Sequence, residues 1–250
     1  MEHPGVTSQF LSKAGDSTHG GYKNLIFRDA LLEKHHALRA LSVMVDSDVG
    51  ILEGLSTSQY YQFRSSVSKV ILATDITRHA EYLAHLQEFS ARRAEDPELE
   101  MDKQLAMELL VKCADISNVV KPAAVARRWA LRITDEFFIQ GDAERAMGME
   151  VSATCNRLAI SRVALQTGFI DHVAEPLFTL LATALPPARN ESGESAPPRE
   201  GLDTLLAQLR DNRASYALCT DLDLERARDW KAPSSLRSMS LSSETEDLPA

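Results

Sequence analysis

Glu33 and His36 belong to the stretch LLEKHHALRAL and are three residues apart in a helical apolar pattern. Side chains at this spacing lie on the same face of a helix, so a carboxylate and an imidazole can face one site together. His35 cannot join them, because adjacent helical positions point in different directions. On spacing alone, a solvated surface pair is the ordinary interpretation.

A second pair, Gln166 and Phe169, lies in QTGFIDHVAEPLF. A helical Phe with Gln three residues before it is usually a core residue with a surface neighbour. An amide and an aromatic ring on one helical face can also bind a purine, by hydrogen bonds to its edge and stacking on its ring.

Asp115 follows an apolar run in LLVKCADISN and precedes Ser117 and Asn118. Asp, Ser and Asn are common at helix ends, so this stretch by itself favours a capping role. The other segments of the chain change that interpretation.

The elements that must position these residues are helices. Apolar residues recur at three- and four-residue intervals, and Ser56 with Gln59 forms a capping-box pattern. No stretch alternates as a strand would, so we predict an all-α fold. The predicted helices span residues 29–46, 57–88, 101–113, 122–140, 152–173 and 202–218, with a further helix from Leu177 to Leu185 after Pro176.

Local composition predicts one domain over residues 1–230. The first 25 or so residues, the charged segment SARRAEDPELEMD and the segment PPARNESGESAPPREG from Pro186 are predicted connections. Residues 231–250 are Ser-rich and poor in large apolar groups, which predicts a disordered tail.

Composition excludes several classes of function. The net charge of −9 argues against nucleic-acid binding, which needs clustered Lys and Arg. No apolar stretch has the length of a membrane span, and no secretion signal is apparent. The three separated cysteines are expected to be reduced and buried, and the predicted location is cytoplasmic.

Seven segments together resemble the class I cyclic-nucleotide phosphodiesterases. They are HPGV, LLEKHHALRAL, LATDITRH, LLVKCADISN, WALRITDEFFIQGDAERAMGM, QTGFIDHVAEPLF and LRDNRASY, which follow one another at family-like spacings over about residues 3–218. Several motifs in register are a far stronger indication than any one of them.

The resemblance implies a compact all-α phosphodiesterase domain of the HD type, which hydrolyses a 3′,5′-cyclic nucleotide, cAMP or cGMP, to the 5′-monophosphate during signalling. It implies two divalent metal ions, zinc with magnesium or manganese, in the complete domain. Asp115 matches the family's metal-binding aspartate.

Further roles follow from matching positions. Glu33 and His36 are expected to orient metal-bound water. Thr74 and Asp75, in LATD, match residues beside the water shell of the second metal. The alternative for Thr74 is a hydroxyl bonded to its own helix backbone.

The remaining matches concern the substrate. Gln166 and Phe169 are expected to bind the base, and Ile133 and Phe137 to form the opposite wall, where core packing is the alternative. Asn118 is expected to contact the base.

The chain departs from the family pattern at its start. Of the signature H-D-x-x-H-P-G, only the last histidine is matched, by His3, so we expect an N-terminally truncated domain with an incomplete metal site. A longer protein, with a possible regulatory domain upstream, is one explanation. The alternative is an inactive nucleotide- or partner-binding module. On this basis the chain from Met1 to Ala250 is expected to turn over substrate far more slowly than an extended form.

Val119 and the segment VSATCNR also differ from the family pattern near the expected pocket rim.

Overall fold

The computed structural model describes residues 30–46, 50–185 and 200–225. These residues form helices and turns and contain no strand, which confirms the all-α prediction. The α-helices are α1 (Leu31–Val45), α2 (Thr57–Leu72), α3 (His79–Glu95), α4 (Lys103–Asp115), α5 (Ala123–Ala146), α6 (Arg162–Phe169), α7 (Glu175–Ala184), α8 (Glu200–Ala217) and α9 (Asp221–Glu225). Shorter turns are the 3₁₀ helices Ile76–Arg78, Ser117–Val120 and Ala153–Cys155 and the π-helix Ile170–Ala174.

Helices α1, α4 and α8 lie within two residues of their predicted bounds. The predicted capping box is confirmed, since the Ser56 side chain accepts from the Gln59 amide and the Gln59 side chain accepts from the Ser56 amide. The short helix α9 was not predicted.

The prediction of one helix over 57–88 is wrong. Helix α2 ends at Leu72, and Asp75 leaves the helical conformation with φ −56° and ψ 118°. Its carboxylate accepts hydrogen bonds from the amide and hydroxyl of Thr77, both at 2.8 Å. An Asp side chain that bonds two residues ahead competes with helix continuation and starts a new turn.

The predicted end of the helix over 122–140, directly before Gly141, is also wrong, because α5 continues to Ala146. Gly141 is buried where the 3₁₀ turn Ala153–Cys155 crosses the helix. A Cβ atom at this position would lie 2.0 Å from the carbonyl oxygen of Cys155. Glycine is therefore needed here for close packing.

The predicted helix over 152–173 is wrong in its first part, because α6 begins only at Arg162, after the cap residue Ser161. Pro176 does not separate two helices as predicted, since α6, the π-helix and α7 form a continuous helical run. Proline lacks a backbone N–H donor, and its ring clashes with the preceding turn. The wider π turn directly before α7 accommodates that irregularity.

The core lies among α3, α4, α7 and α8, and α7 packs directly against α3. Burial of each large apolar side chain contributes about 1.5–3 kcal/mol. The fully buried leucines of this core include Leu86, Leu109, Leu177, Leu181 and Leu209. By contrast, α2 contains no fully buried side chain.

Cys113 and Cys155 are buried free thiols, as expected, and Cys219 is half-buried. Burial raises the pKa of the Cys113 thiol to about 12. None of the helices in the described ranges is long and apolar enough to cross a membrane. The predicted Pro186 connection, apart from its last two residues, and the predicted tail and N-terminal connection lie outside the described residues.

Candidate functional site

The buried ammonium group of Lys112 joins the turn after α2 to the last turn of α4. Its side chain is almost fully enclosed, and Nζ donates hydrogen bonds to the carbonyl oxygens of Ala73 (3.1 Å) and Asp75 (3.3 Å). Nζ also lies 5.3 Å from the centre of the Tyr82 ring. Lys112 thereby fixes the LATD segment against the helix that ends at Asp115.

Lys112 also lies in the electrostatic field of two of the predicted site residues. Burial lowers the pKa of Lys112, whereas the carboxylates of Asp75 and Asp115 oppose that shift. The structure therefore brings Asp75 and Asp115 to the same lysine. Sequence analysis missed Lys112, although a lone cation in the apolar run LLVKCAD was a visible signal.

Asp115 is the last residue of α4. Its side chain remains accessible to solvent, yet the protein around it removes part of its hydration and raises its pKa. Lys112 opposes this effect. A carboxylate that is partly dehydrated but open on one side is suited to receive a cation.

Thr74 and Asp75 lie in the turn between α2 and α3. The Thr74 hydroxyl donates to the carbonyl oxygen of Ile71 at 2.8 Å, which is the backbone-bonded alternative considered from the sequence. Asp75 is buried, and its Oδ1 is held by Thr77. Both side chains are thus fixed by local hydrogen bonds.

Glu33 and His36 are half-buried on α1, which packs against α2. Glu33 and His36 are therefore less exposed than a fully solvated surface pair would be. Helix α2 in turn packs against α4, the helix of Asp115. The order of packing is therefore α1 on α2 and α2 on α4.

Gln166 and Phe169 belong to α6, and Ile133 and Phe137 belong to α5, which packs against it. Gln166 is buried, whereas the other three side chains are half-buried. Phe169 also packs against the hydrophobic core. The two pairs predicted to face each other across a base pocket thus belong to neighbouring helices.

Asn118 lies in the 3₁₀ turn Ser117–Val120, which α8 holds in place. The buried Asn212 donates from Nδ2 to the carbonyl oxygens of Val119 and Lys121, each at 2.8 Å. Asn212 belongs to the segment LRDNRASY, so the motif was visible in the sequence. Its contact with the turn, 93 residues away, was not predicted.

Helix α8 also holds the π-helix that follows Phe169. The guanidinium of Arg213 donates two hydrogen bonds of 2.9 Å to Asp171. The hydrogen bond from Arg213 holds the pKa of the Asp171 carboxyl below its usual value. Helix α8 therefore supports the turn that bears Asn118 and the π-helix directly after Phe169.

The segment VSATCNR is attached to α5 through Glu144. This buried carboxylate accepts from the Ser152 amide (2.6 Å), the Ser152 hydroxyl (2.8 Å) and the Gln140 amide group (2.9 Å). The close approach at Gly141 reinforces the attachment. The expected pocket rim is therefore packed tightly on α5.

The described residues do not by themselves fit a tightly held metal ion. Within residues 30–46, 50–185 and 200–225, there is no group of three or more His, Cys, Asp or Glu side chains that could hold a metal ion. Structural and catalytic zinc sites ordinarily use at least three protein ligands. His3 lies outside the described residues.

A cleft of about 760 Å³ lies elsewhere, between α3 and the start of α4. Its wall includes Arg78, His85, Gln104 and Glu108 and none of the predicted site residues. Within this cleft, the Tyr82 hydroxyl donates a hydrogen bond to the Glu108 carboxylate at 2.7 Å. Part of the polar surface of the cleft therefore serves the packing of α3 against α4.

Comparison with known proteins identifies a family. The model of the 3′5′-cyclic nucleotide phosphodiesterase family matches residues 1–193. A 3′,5′-cyclic-nucleotide phosphodiesterase, regA, from Dictyostelium discoideum is 31% identical over 229 residues, covering 92% of this chain and 28% of its own length. The 3′,5′-cyclic-AMP phosphodiesterase 4C of Mus musculus is 32% identical over 223 residues, covering 86% and 30%.

A solved structure, LmjPDEB1 in complex with IBMX, superposes with a TM-score of 0.70 at 28% identity. The match covers 87% of this chain and 61% of that one. The chain spans about three tenths of the length of the curated relatives described above.

Proposed function

This chain belongs to the 3′5′-cyclic nucleotide phosphodiesterase family, and we propose that it contributes to a domain that hydrolyses a 3′,5′-cyclic nucleotide to the 5′-monophosphate. The observation that carries this proposal is the family match over residues 1–193. The resemblance of the fold to a solved phosphodiesterase supports it.

We propose that Asp115 is a metal ligand and that Asp75, Thr74, Glu33 and His36 serve the same reaction centre. The shared proximity of Asp75 and Asp115 to Lys112 supports a common location for these two carboxylates. The packing of α1 on α2 and of α2 on α4 is compatible with the addition of Glu33 and His36.

The proposed base pocket lies between α5 and α6. Gln166 would bind the edge of the base and Phe169 would stack on it, with Ile133 and Phe137 opposite. The half-buried state of Ile133, Phe137 and Phe169 supports this role, because part of each apolar side chain is accessible to a ligand. Asn118 is included as a further base contact.

The proposed cofactors are two divalent cations, zinc with magnesium or manganese. Family membership supports divalent metal use in general, whereas the choice of ions is the finer proposal. His3 is included among the proposed catalytic residues. A cytoplasmic location and a regulatory domain in a longer protein also remain parts of the proposal.

The test measures hydrolysis of cyclic AMP and cyclic GMP by the longest natural polypeptide that contains this chain, with magnesium, manganese or zinc. Asp115→Ala should lower kcat/KM at least about 100-fold if it removes a metal ligand. Phe169→Ala should raise KM about tenfold, because base stacking on an aromatic ring is lost. The exposed Asp203 on α8 provides a matched control, Asp203→Ala, with unchanged kinetics.

Unchanged turnover in Asp115→Ala would contradict its assignment. Nucleotide binding without turnover by the unmodified protein at every metal would instead support the alternative, an inactive nucleotide-binding module. Absence of both binding and turnover would contradict the proposed function.

A further inference from the structure

Helix α9 supplies a hydrogen-bond acceptor to the start of α6 from 58 to 59 residues away in sequence. Asp221, its first residue, accepts from the backbone amides of Arg162 (2.9 Å) and Val163 (3.0 Å). The next amide, of Ala164, donates to the Ser161 hydroxyl at 3.0 Å. The first three amides of α6 thus all have side-chain acceptors.

The Arg162 side chain forms a second connection, directed toward α5. It is 6% exposed, and its guanidinium lies 2.7 Å from the Asp135 carboxylate. It also donates to the Thr134 hydroxyl at 2.5 Å and lies 5.0 Å from the centre of the Phe138 ring. The guanidinium therefore joins α6 to α5 in a buried, multiply bonded arrangement.

Helix α9 contributes to this connection at both of its ends. The Glu225 carboxylate lies 3.8 Å from Arg162, and the Leu224 side chain is fully buried. Helix α9 packs against both α5 and α6. We call this arrangement of Asp221, Glu225 and Arg162 the α9 clamp.

The clamp joins the same two helices that carry the proposed walls of the base pocket. Arg162 precedes Gln166 by one helical turn, so both lie on one face of α6. On α5, Thr134 and Asp135 lie between Ile133 and Phe137. Helix α6 has eight residues, and so short a helix depends on its caps and on packing for its stability.

We propose that Asp221 and Arg162 are positioning residues that set the separation of α5 and α6 and thereby the affinity of the base pocket, without touching the nucleotide. This inference rests on the proposed function. Helix α9, which supplies Asp221, lies outside residues 1–193, the range that matches the family model. Loss of the clamp should loosen the start of α6 and weaken base binding more than it slows the chemical step.

The kinetic test uses Asp221→Ala in the longest natural polypeptide that contains this chain. KM for the cyclic nucleotide should rise about fivefold, the effect expected for loss of a helix cap, with kcat within about twofold of the parent. Asp221→Asn keeps an acceptor oxygen and should restore most of the affinity. The exposed Asp211 on α8 provides the control variant Asp211→Ala.

Hydrogen exchange provides a readout that does not depend on activity. Amides of residues 162–169 should exchange faster in Asp221→Ala than in the parent or in Asp211→Ala. Thermal unfolding checks that each variant is folded. If Asp221→Ala does not fold, Asp221→Ser, which keeps a shorter acceptor, should show an intermediate effect on KM and exchange.

An unchanged KM, a lower kcat at constant KM, or unchanged exchange over residues 162–169 would overturn the clamp. If the unmodified protein neither binds nor hydrolyses a cyclic nucleotide, the proposed function fails. In that case, the exchange result still decides whether Asp221 positions α6.

Discussion

Buried polar side chains decide how several of the helices meet. Lys112 bonds to the turn after α2, Asn212 bonds to the turn that bears Asn118, and Glu144 bonds to Ser152. A buried polar group without a partner costs about 1–3 kcal/mol, so each of these contacts favours one arrangement over its alternatives. At the scale of single residues, specificity comes from such bonds.

His79 should make the stability of the protein depend on pH. Burial lowers its pKa, and the Lys112 ammonium lowers it further, whereas the Val173 carbonyl opposes the shift. The unfolded chain therefore takes up a proton near the ordinary value of 6.5, before the folded protein does. The free energy of unfolding should fall as pH drops below about 6.5, until the pKa of the folded state is passed.

Urea denaturation at a series of pH values between about 8 and 5 measures this dependence. His79→Gln removes the titrating group and should show a smaller decrease in the free energy of unfolding than the parent. The exposed His172 on the π-helix provides the control, His172→Gln, which should keep the parent's decrease. Equal pH dependence in His79→Gln and the parent would contradict the prediction.

At the scale of elements, the ends of helices depend on whether local hydrogen bonds or tertiary packing is stronger. Asp75 ends a helical run because its carboxylate bonds to Thr77. Gly141 and Pro176 do not end theirs, although both residue types disfavour helices. At Gly141, packing against the Cys155 turn outweighs the local preference. At Pro176, the preceding π turn does so.

Gly141→Ala should destabilise the protein by about 1–3 kcal/mol, because the new Cβ would overlap the Cys155 carbonyl and force α5 away from the 3₁₀ turn. Gly168→Ala is the matched control in α6, where nothing lies within 4 Å of the added atom. It should raise stability by about 0.5–1 kcal/mol through helix propensity. Urea denaturation measures both, and an unchanged midpoint for Gly141→Ala would show that the turn moves at no cost.

At the scale of the whole molecule, burial is unevenly distributed. Helix α7 has Leu177 and Leu181 almost completely enclosed, and its last turn is also held by Arg93, which donates to the Ala184 carbonyl at 3.0 Å. Helix α2 has no fully buried side chain. The helix that precedes the Thr74–Asp75 turn is therefore less firmly attached than the helix at the centre of the core.

Native-state hydrogen exchange should reflect this difference. Amides of α7 should exchange only through openings whose free energy approaches that of global unfolding, whereas amides of α2 should exchange through smaller openings. The global value comes from urea denaturation of the same protein. Equal protection of α2 and α7 would contradict the uneven distribution of stability.

The amino-acid sequence by itself determined the fold class, the approximate bounds of α1, α4 and α8, the capping box at Ser56 and the family. These features depend on apolar spacing, capping residues and motif order, all of which are local or linear properties. The types of residue proposed for the site were also available from the sequence, and their catalytic and binding roles stay predictions.

Only the tertiary structure decided that Gly141 lies inside a helix, that Pro176 continues one, and that Lys112 and Asp221 connect distant segments. The outcomes at Gly141, Lys112 and Asp221 depend on contact partners elsewhere in the chain, such as Cys155 for Gly141 or Arg162 for Asp221. Local propensities are worth about 1 kcal/mol for glycine in a helix, and tertiary packing and buried hydrogen bonds exceed them. The linear pattern of residues does not show which distant groups supply that energy.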